Sequence, residues 1–367
     1  MSDNFCPFLS SGLVYNNDRT EFNMAPCCYF RRVDRVQPHQ IVDWHNLRTQ
    51  WADPEHRAYR CGICIDQENS GIPSYRQAAH DVITNPGKLQ MLTVAVNKQC
   101  NLACATCSAG LSSFWYQENR RNGVKQSDGI HLLHQEDRDG TTQQRFVQQL
   151  QDIDLTELTY IKFGGGEPLM NDTHVRILEL VPRPEQVTLQ YTSNFSIAPS
   201  REALELWRQF HLVKWMASID GCGDHFNILR WPYTWHKLQL FVNRARTITP
   251  DNVMFGVEHT LNPLNIYYFD RFQEWFAVWF GYDAVNVPTD LNLHAAEGIM
   301  GLDRTPEPLR QAVTQRYGEH HPVSRLLNQQ PQHHDIKNFV TWMDTLDQWR
   351  GHSWRQAFAE VEQYFRV

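Results

Sequence analysis

Long apolar runs are missing from this 367-residue chain, and none reaches the roughly 18 residues a membrane-spanning helix needs. The opening segment MSDNFCPFLSSG lacks a basic stretch followed by an apolar core. No secretory signal is therefore expected, and the expected location is the cytoplasm. An excess of positive charge is also absent: 34 Lys and Arg stand against 41 Asp and Glu, a net charge of −7. That gives no general electrostatic drive toward nucleic acid or an anionic membrane. No internal repeat or low-complexity tract occurs. With 41% hydrophobic and 20% charged residues, 19 Gly and 18 Pro, the composition excludes a disordered or collagen-like chain. At roughly 150 residues per domain, the length predicts two to three domains.

What is present is a clustered set of nine cysteines. Cys6, Cys27, Cys28, Cys61 and Cys64 lie near the N-terminus, Cys100, Cys104 and Cys107 form a tight group, and Cys222 stands alone. In a reducing compartment such clusters point to metal binding before disulfides.

From about residue 90, short apolar runs bounded by Gly, Asn, Asp or Pro alternate with helical patterns. Strands are predicted at Leu92–Asn97, Thr159–Phe163, Val187–Thr192, Val213–Ile219, Val253–Thr260 and Ala284–Val287. Helices are predicted at His174–Leu180, Arg201–Phe210, Trp235–Thr247 and Ile266–Trp279. Six such units make a parallel sheet with right-handed crossovers, an open or partial (β/α)6 barrel. Chemistry in such sheets sits at the carboxyl ends of the strands. The polar segment Gln117–Gln144 reads as an inserted surface loop. Asn338–Trp349 and Trp354–Phe365 read as a helical C-terminal segment. The expected domains are 1–88, an iron–sulfur domain; 89–300, the barrel; and 301–367, helical.

Cys100-Asn-Leu-Ala-Cys104-Ala-Thr-Cys107 offers three thiolates to one compact soft centre, either zinc or iron–sulfur. A zinc knuckle completed by a distant histidine remains open on spacing alone. Three thiolates on a four-iron cluster would leave one iron free to bind a small molecule. The CX3CX2C loop after a first strand resembles that of the radical S-adenosylmethionine (radical SAM) enzymes. Thr106 stands where that family usually carries an aromatic residue. The resemblance implies a SAM-binding four-iron (4Fe-4S) cluster on Cys100, Cys104 and Cys107. It also implies reductive SAM cleavage to a 5′-deoxyadenosyl radical that abstracts a substrate hydrogen.

Gly164-Gly165-Gly166-Glu167-Pro168 is similar to the family's GGEP motif, which implies that Gly165, Gly166 and Glu167 receive the SAM amino group. Ser193 and Asn194 end the third strand. Ser218 and Asp220 end the fourth, with Arg230 beyond them. The resemblance implies a ribose contact for Ser218 and a carboxylate contact for Arg230.

Upstream, the pattern of Cys6, Cys27-Cys28, Cys61-Gly-Ile-Cys64, Glu68, Gly71, Ser74 and Arg76 resembles a twitch module, half of a SPASM domain. In the family this module normally follows the barrel. Cys6, Cys27, Cys61 and Cys64 are the implied ligands of an auxiliary 4Fe-4S cluster, with Cys28 competing with Cys27 and structural zinc as the alternative. Placed N-terminally, the module is expected to fold back over the barrel mouth.

Cys222 could donate a hydrogen atom to a substrate radical, or be a small residue in a Gly-rich turn. Glu258 and His259 alternate on a strand, so one of them faces the barrel interior. The aromatic run from Tyr267 to Trp279 reads as helix packing, and Arg31-Arg32 and Arg120-Arg121 as solvated surface.

The expected activity is radical modification of a peptide, such as a ribosomally made one, or of a small molecule. The electron donor would be of flavodoxin or ferredoxin type. Alternatives are transfer of a SAM-derived aminocarboxypropyl or methyl group, aminosugar or alcohol dehydrogenation, and a zinc-stabilised binding protein without catalysis.

Overall fold

The computed structural model describes residues 6–18, 21–27, 34–36, 61, 64–65, 68, 74–85, 87–95, 97–280, 291–331 and 335–366. The described strands are β1 Gly12–Asp18, β2 Glu21–Ala25, β3 Asp34–Val36, β4 Met91–Ala95, β5 Tyr160–Phe163, β6 Thr188–Ser193, β7 Leu212–Ser218, β8 Val253–Leu261 and β9 Leu291–Ala295. They form one sheet in the order β3-β2-β1-β4-β5-β6-β7-β8-β9. Every neighbouring pair from β1 through β4 to β9 is parallel, while β2 and β3 add an antiparallel edge. The seven parallel strands form a half-barrel, which is the expected partial barrel.

The described helices used below are α1 Phe8–Ser11, α2 Tyr75–Val82, α3 Ser113–Arg121, α4 Asp128–Asp139, α5 Thr141–Gln151, α6 Thr173–Leu178, α7 Arg201–Trp207, α8 Asp224–Leu229, α9 Trp235–Ile248, α10 Phe269–Phe280, α11 Glu307–Tyr317, α12 Pro322–Asn328 and α13 Ile336–Arg350. Side-chain caps start several of them. Ser112 accepts from the Trp115 amide at α3, and Ser74 and Gln77 form a reciprocal capping box at α2.

The two faces of the sheet differ in chemistry because successive strand residues point to opposite sides. Ile161, Leu189, Val213 and Val257 are fully buried. On their side Tyr191 and Trp215 pack against Trp207 of α7. The other face carries Tyr160, Lys162, Gln190 and Glu258. Gln190 on β6 donates to Glu258 on β8 across the intervening β7, at 3.1 Å. The curl of the sheet makes this polar face the concave one.

Two sequence expectations need correction, and a third is not tested. The polar stretch Gln117–Gln144 is not a loop: it completes α3 and forms α4 and the start of α5, with Gly140 at φ 68° in the break between them. Its amphipathic spacing, with His134 buried and Leu132 and Gln135 exposed, was masked by low apolar content. Ala284–Val287 lies outside the described residues, among which the last parallel strand is Leu291–Ala295. Trp354–Phe365 is broken into Trp354–Ala357, Ala359–Glu362 and a 3-10 turn at Gln363–Phe365. The aromatic run does pack as a helix, with Phe269, Phe272 and Phe276 buried. Arg31 and Arg32 lie outside the described residues.

Candidate functional site: the cysteine loop

Strands β4 to β8 deliver their carboxyl ends to one place, and the loop from Asn97 to Cys107 is fastened there from several directions. Gly166 donates its amide to the Asn97 carbonyl at 3.0 Å, and Glu167 donates its own to Gln99 at 2.6 Å. A Cβ on Gly165 would sit 2.8 Å from the Asn97 oxygen, and one on Gly166 would collide with the Gln99 carbonyl. Gly165 also has φ 100°, which L side chains rarely adopt. The glycines are thus required for backbone to touch backbone. Gly166→Ala should cost about 3 kcal/mol by overpacking against a carbonyl that cannot swing away, read as a lowered urea midpoint at unchanged slope.

Glu167 is fully buried. Its carboxylate accepts from the Ser193 hydroxyl at 3.0 Å, the Asn194 amide at 2.7 Å and the Leu169 amide at 3.2 Å. Burial pushes its pKa up to about 7 against those three hydrogen bonds. In this arrangement Glu167 ties the end of β5 to the end of β6. Asn194 then reaches back to the loop, donating to the Asn101 side chain at 2.8 Å, with its Nδ2 3.9 Å from Cys100 Sγ.

On the other side Asp220, at 0% exposure, forms an ion pair with Arg230 at 2.7 Å, although its angle falls short of a hydrogen bond. The Thr260 amide donates to the same carboxylate at 2.8 Å. Arg230 Nη1 stands 3.7 Å from Cys104 Sγ. The loop amides of Ala103 and Ala105 donate to the carbonyls of Trp231 and Leu229, each at 2.8 Å. The resemblance implies Arg230 as a site residue, and in the structure it lies between Asp220 and Cys104.

The three thiols share one electrostatic site. Burial pushes Cys100 and Cys107 up to about 12, and the nearby Cys104 sulfur adds to both. Cys104 is raised by burial while Arg230 opposes the rise. Among the described residues no three Cys, His, Asp or Glu side chains converge tightly enough to hold a single ion. By their chemistry, three thiols close together suit a soft centre, zinc or iron–sulfur, once deprotonated. Asn97 Oδ1 and Thr192 Oγ1, at the ends of β4 and β6, are buried without a hydrogen-bond partner. These acceptors suit a ligand's donor group.

The N-terminal cysteines gather elsewhere. Cys6, Cys27, Cys61 and Cys64 line one cavity with Phe8, Tyr75 and Arg76. Burial pushes Cys6 up to about 11, with Cys61 and Cys64 near enough to contribute. Glu68 accepts from Ser74 and, at 3.0 Å, from Arg76 Nε. Cys28 and Gly71 lie outside the described residues.

Cys6 precedes β1 and Cys27 follows β2. Gly12 pairs with Met91, Val14 pairs with Ala25, and Gln90 donates to the Ser11 carbonyl at 2.9 Å. These cysteines therefore sit where β4 begins, whereas the Cys100 loop leaves where β4 ends. The five residues of β4, at ~3.3 Å each, separate the two sets by roughly 15 Å of strand. The expected placement over the barrel mouth is corrected: parallel pairing of β1 with β4 carries this segment to the opposite end.

The remaining candidates resolve by face. Glu258 points to the concave side and accepts from Gln190, from Asn292 at 3.2 Å and from His294. Burial raises its pKa, but His294 and Lys162 outweigh that and hold it below the ordinary value. His259 points the other way, against Phe269 and Phe272. Ser218 pairs in register with Glu258 at the end of β7. Cys222 packs beside α10, with its sulfur 4.0 Å from the Arg271 carbonyl, and burial pushes it up to about 12. The residues that sequence reasoning missed here, Asn97, Gln190 and His294, carry no spacing signal and join the site only in three dimensions.

No protein family and no curated protein matches the chain. Several solved structures show a remote likeness, two of which follow. One, "Native anSMEcpe with bound AdoMet", is 12% identical over 68% of this chain and 64% of that chain, with a TM-score of 0.43. The other, SuiB of Streptococcus suis bound to precursor peptide SuiA, is 9% identical over 84% of this chain and 69% of that one, with a TM-score of 0.36. The chain spans just under two thirds of the length of anSMEcpe. At such identity and superposition, the functional reading rests on this chain's own residues. Among the described residues no helix is long and apolar enough to cross a membrane.

Proposed function

We propose that the chain is a radical SAM enzyme working at the carboxyl end of the half-barrel. The observation that carries this reading is the cysteine loop itself. Three spaced thiols lie where β4 ends, held by the glycines after β5, by Asn194 after β6 and by Arg230. A 4Fe-4S cluster on Cys100, Cys104 and Cys107, when bound, supplies the electron that breaks a sulfur–carbon bond of SAM and so yields a 5′-deoxyadenosyl radical.

The protein's own groups prepare the site. Arg230 puts positive charge beside Cys104, which offsets the charge of a thiolate ligand. Gly165 and Gly166 let the end of β5 pack directly against the cysteine loop. Asn97 Oδ1 and Thr192 Oγ1 accept from the ammonium of the methionine end. Glu167, Ser193 and Asn194 hold that pocket's wall, and Ser218 meets the ribose. Asp220 orients Arg230. The concave wall of Tyr160, Lys162, Gln190, Glu258 and His294 receives a polar group of the substrate, a peptide or a small molecule.

Cys6, Cys27, Cys61 and Cys64 hold an auxiliary 4Fe-4S cluster. Its place at the base of the sheet favours electron transfer or a structural role over contact with substrate. The proposed segments are 1–88, 89–300 and 301–367, the first of which lends β1 to the half-barrel sheet. The protein works in the cytoplasm with a flavodoxin or ferredoxin as donor.

The test is anaerobic reconstitution followed by iron, sulfide and zinc analysis and by chromatography of the products from SAM. Iron with 5′-deoxyadenosine supports the reading. 5′-Methylthioadenosine would move the protein to aminocarboxypropyl transfer. Zinc alone, with SAM intact, would overturn it.

A further inference from the structure

The last residue of α13 reaches the cysteine loop from 247 positions away. Arg350, whose side chain is 0% exposed, donates through Nη2 to the Ala103 carbonyl at 2.9 Å, between the first two cysteines of the loop. It is itself gripped by Glu118 of α3, through Nε at 3.1 Å and Nη2 at 2.7 Å. The guanidinium also lies 4.7 Å over the ring of Trp115. Trp115 in turn donates its indole N–H to the Cys104 carbonyl at 2.8 Å and stacks on Trp342 of α13. Two consecutive loop carbonyls are thus held by one assembly built from α3 and α13. A two-pronged guanidinium suits this task because it can engage a carboxylate and still direct a fixed N–H at a carbonyl.

We propose that Arg350 is a positioning residue for the cysteine loop, and that α13 is a clasp that keeps Cys100, Cys104 and Cys107 in their ligating arrangement. The inference rests on the reading of this loop as a cluster site. It assigns the C-terminal helical segment a part in retaining that cluster.

The decisive variant is Arg350→Met with Glu118→Leu, which removes both charges together and leaves no unpaired ion in the core. Arg355→Gln, on the same segment but paired with Asp344, is the control. Two measurements apply. Hydrogen exchange of the metal-free protein reads the amides of residues 103–107. Iron loss to a chelator reads the reconstituted protein. The double variant is expected to exchange those amides at least ~10-fold faster and to lose iron at least ~5-fold faster. Its urea midpoint should stay near the parent's, and the control should match the parent in both.

Loop exchange and iron loss equal to the parent's would overturn the proposal. So would faster exchange spread evenly over the barrel with a lowered midpoint. A parent that takes up no iron would instead sink the reading of the loop as a cluster site, and the exchange measurement would still decide whether α13 clasps it.

Discussion

Replacing Cys100, Cys104 and Cys107 together by alanine should remove about four of about eight irons per reconstituted chain and abolish formation of 5′-deoxyadenosine. The fold should survive, because each change deletes one sulfur from a loop that is held mainly by backbone and by neighbouring side chains. Ala103 and Ala105 still donate to Trp231 and Leu229, and Gly166 and Glu167 still donate to the loop's first carbonyls. Circular dichroism near the parent's, with the iron halved, is the expected pair of readings. Replacing Cys6, Cys27, Cys61 and Cys64 should remove the other half. The roughly 15 Å of strand between the sets makes the two losses independent. Full loss of iron from the triple variant alone would assign every iron to the Cys100 loop and leave the N-terminal set to zinc or to no metal.

The second large effect is expected at Arg230. Arg230→Met keeps most of the side-chain volume but removes the counter-charge of Asp220, which is fully buried. Leaving one charge of a buried pair unmatched costs about 3–5 kcal/mol, so the denaturation midpoint should fall sharply. Adding Asp220→Leu removes the stranded charge and should recover most of that stability. It cannot restore the guanidinium beside Cys104. The double variant should therefore be near the parent in stability yet weaker in holding iron. Equal iron retention by parent and double variant would mean that Arg230 serves Asp220 alone.

How much of this was legible beforehand follows from the range of the forces involved. The half-barrel was readable because a buried parallel strand announces itself locally, as a β-branched run closed by a turn residue. Observed strands such as Tyr160–Phe163 and Val253–Leu261 fall within a residue of expectation. The cysteine spacing and the run of glycines were readable for the same reason: a loop that must wrap a compact centre, and a backbone that must touch another, leave their mark within eight residues. Polar helices such as α4 were missed because a helix with little apolar surface has a weak period.

By itself, the sequence determined the parallel strands from β4 to β8, the cysteine spacing and the run of glycines that no side chain could replace. Only the tertiary structure decided that Glu258 faces the concave side while His259 is buried behind it, and that Cys222 packs on α10. It alone set the two cysteine groups at opposite ends of β4, and brought Arg350 to a carbonyl in the cysteine loop. The reason is physical. Strand and turn preferences act over a few residues and are written locally. The partner of a buried charge is chosen by where whole elements pack, and no spacing along the chain records it.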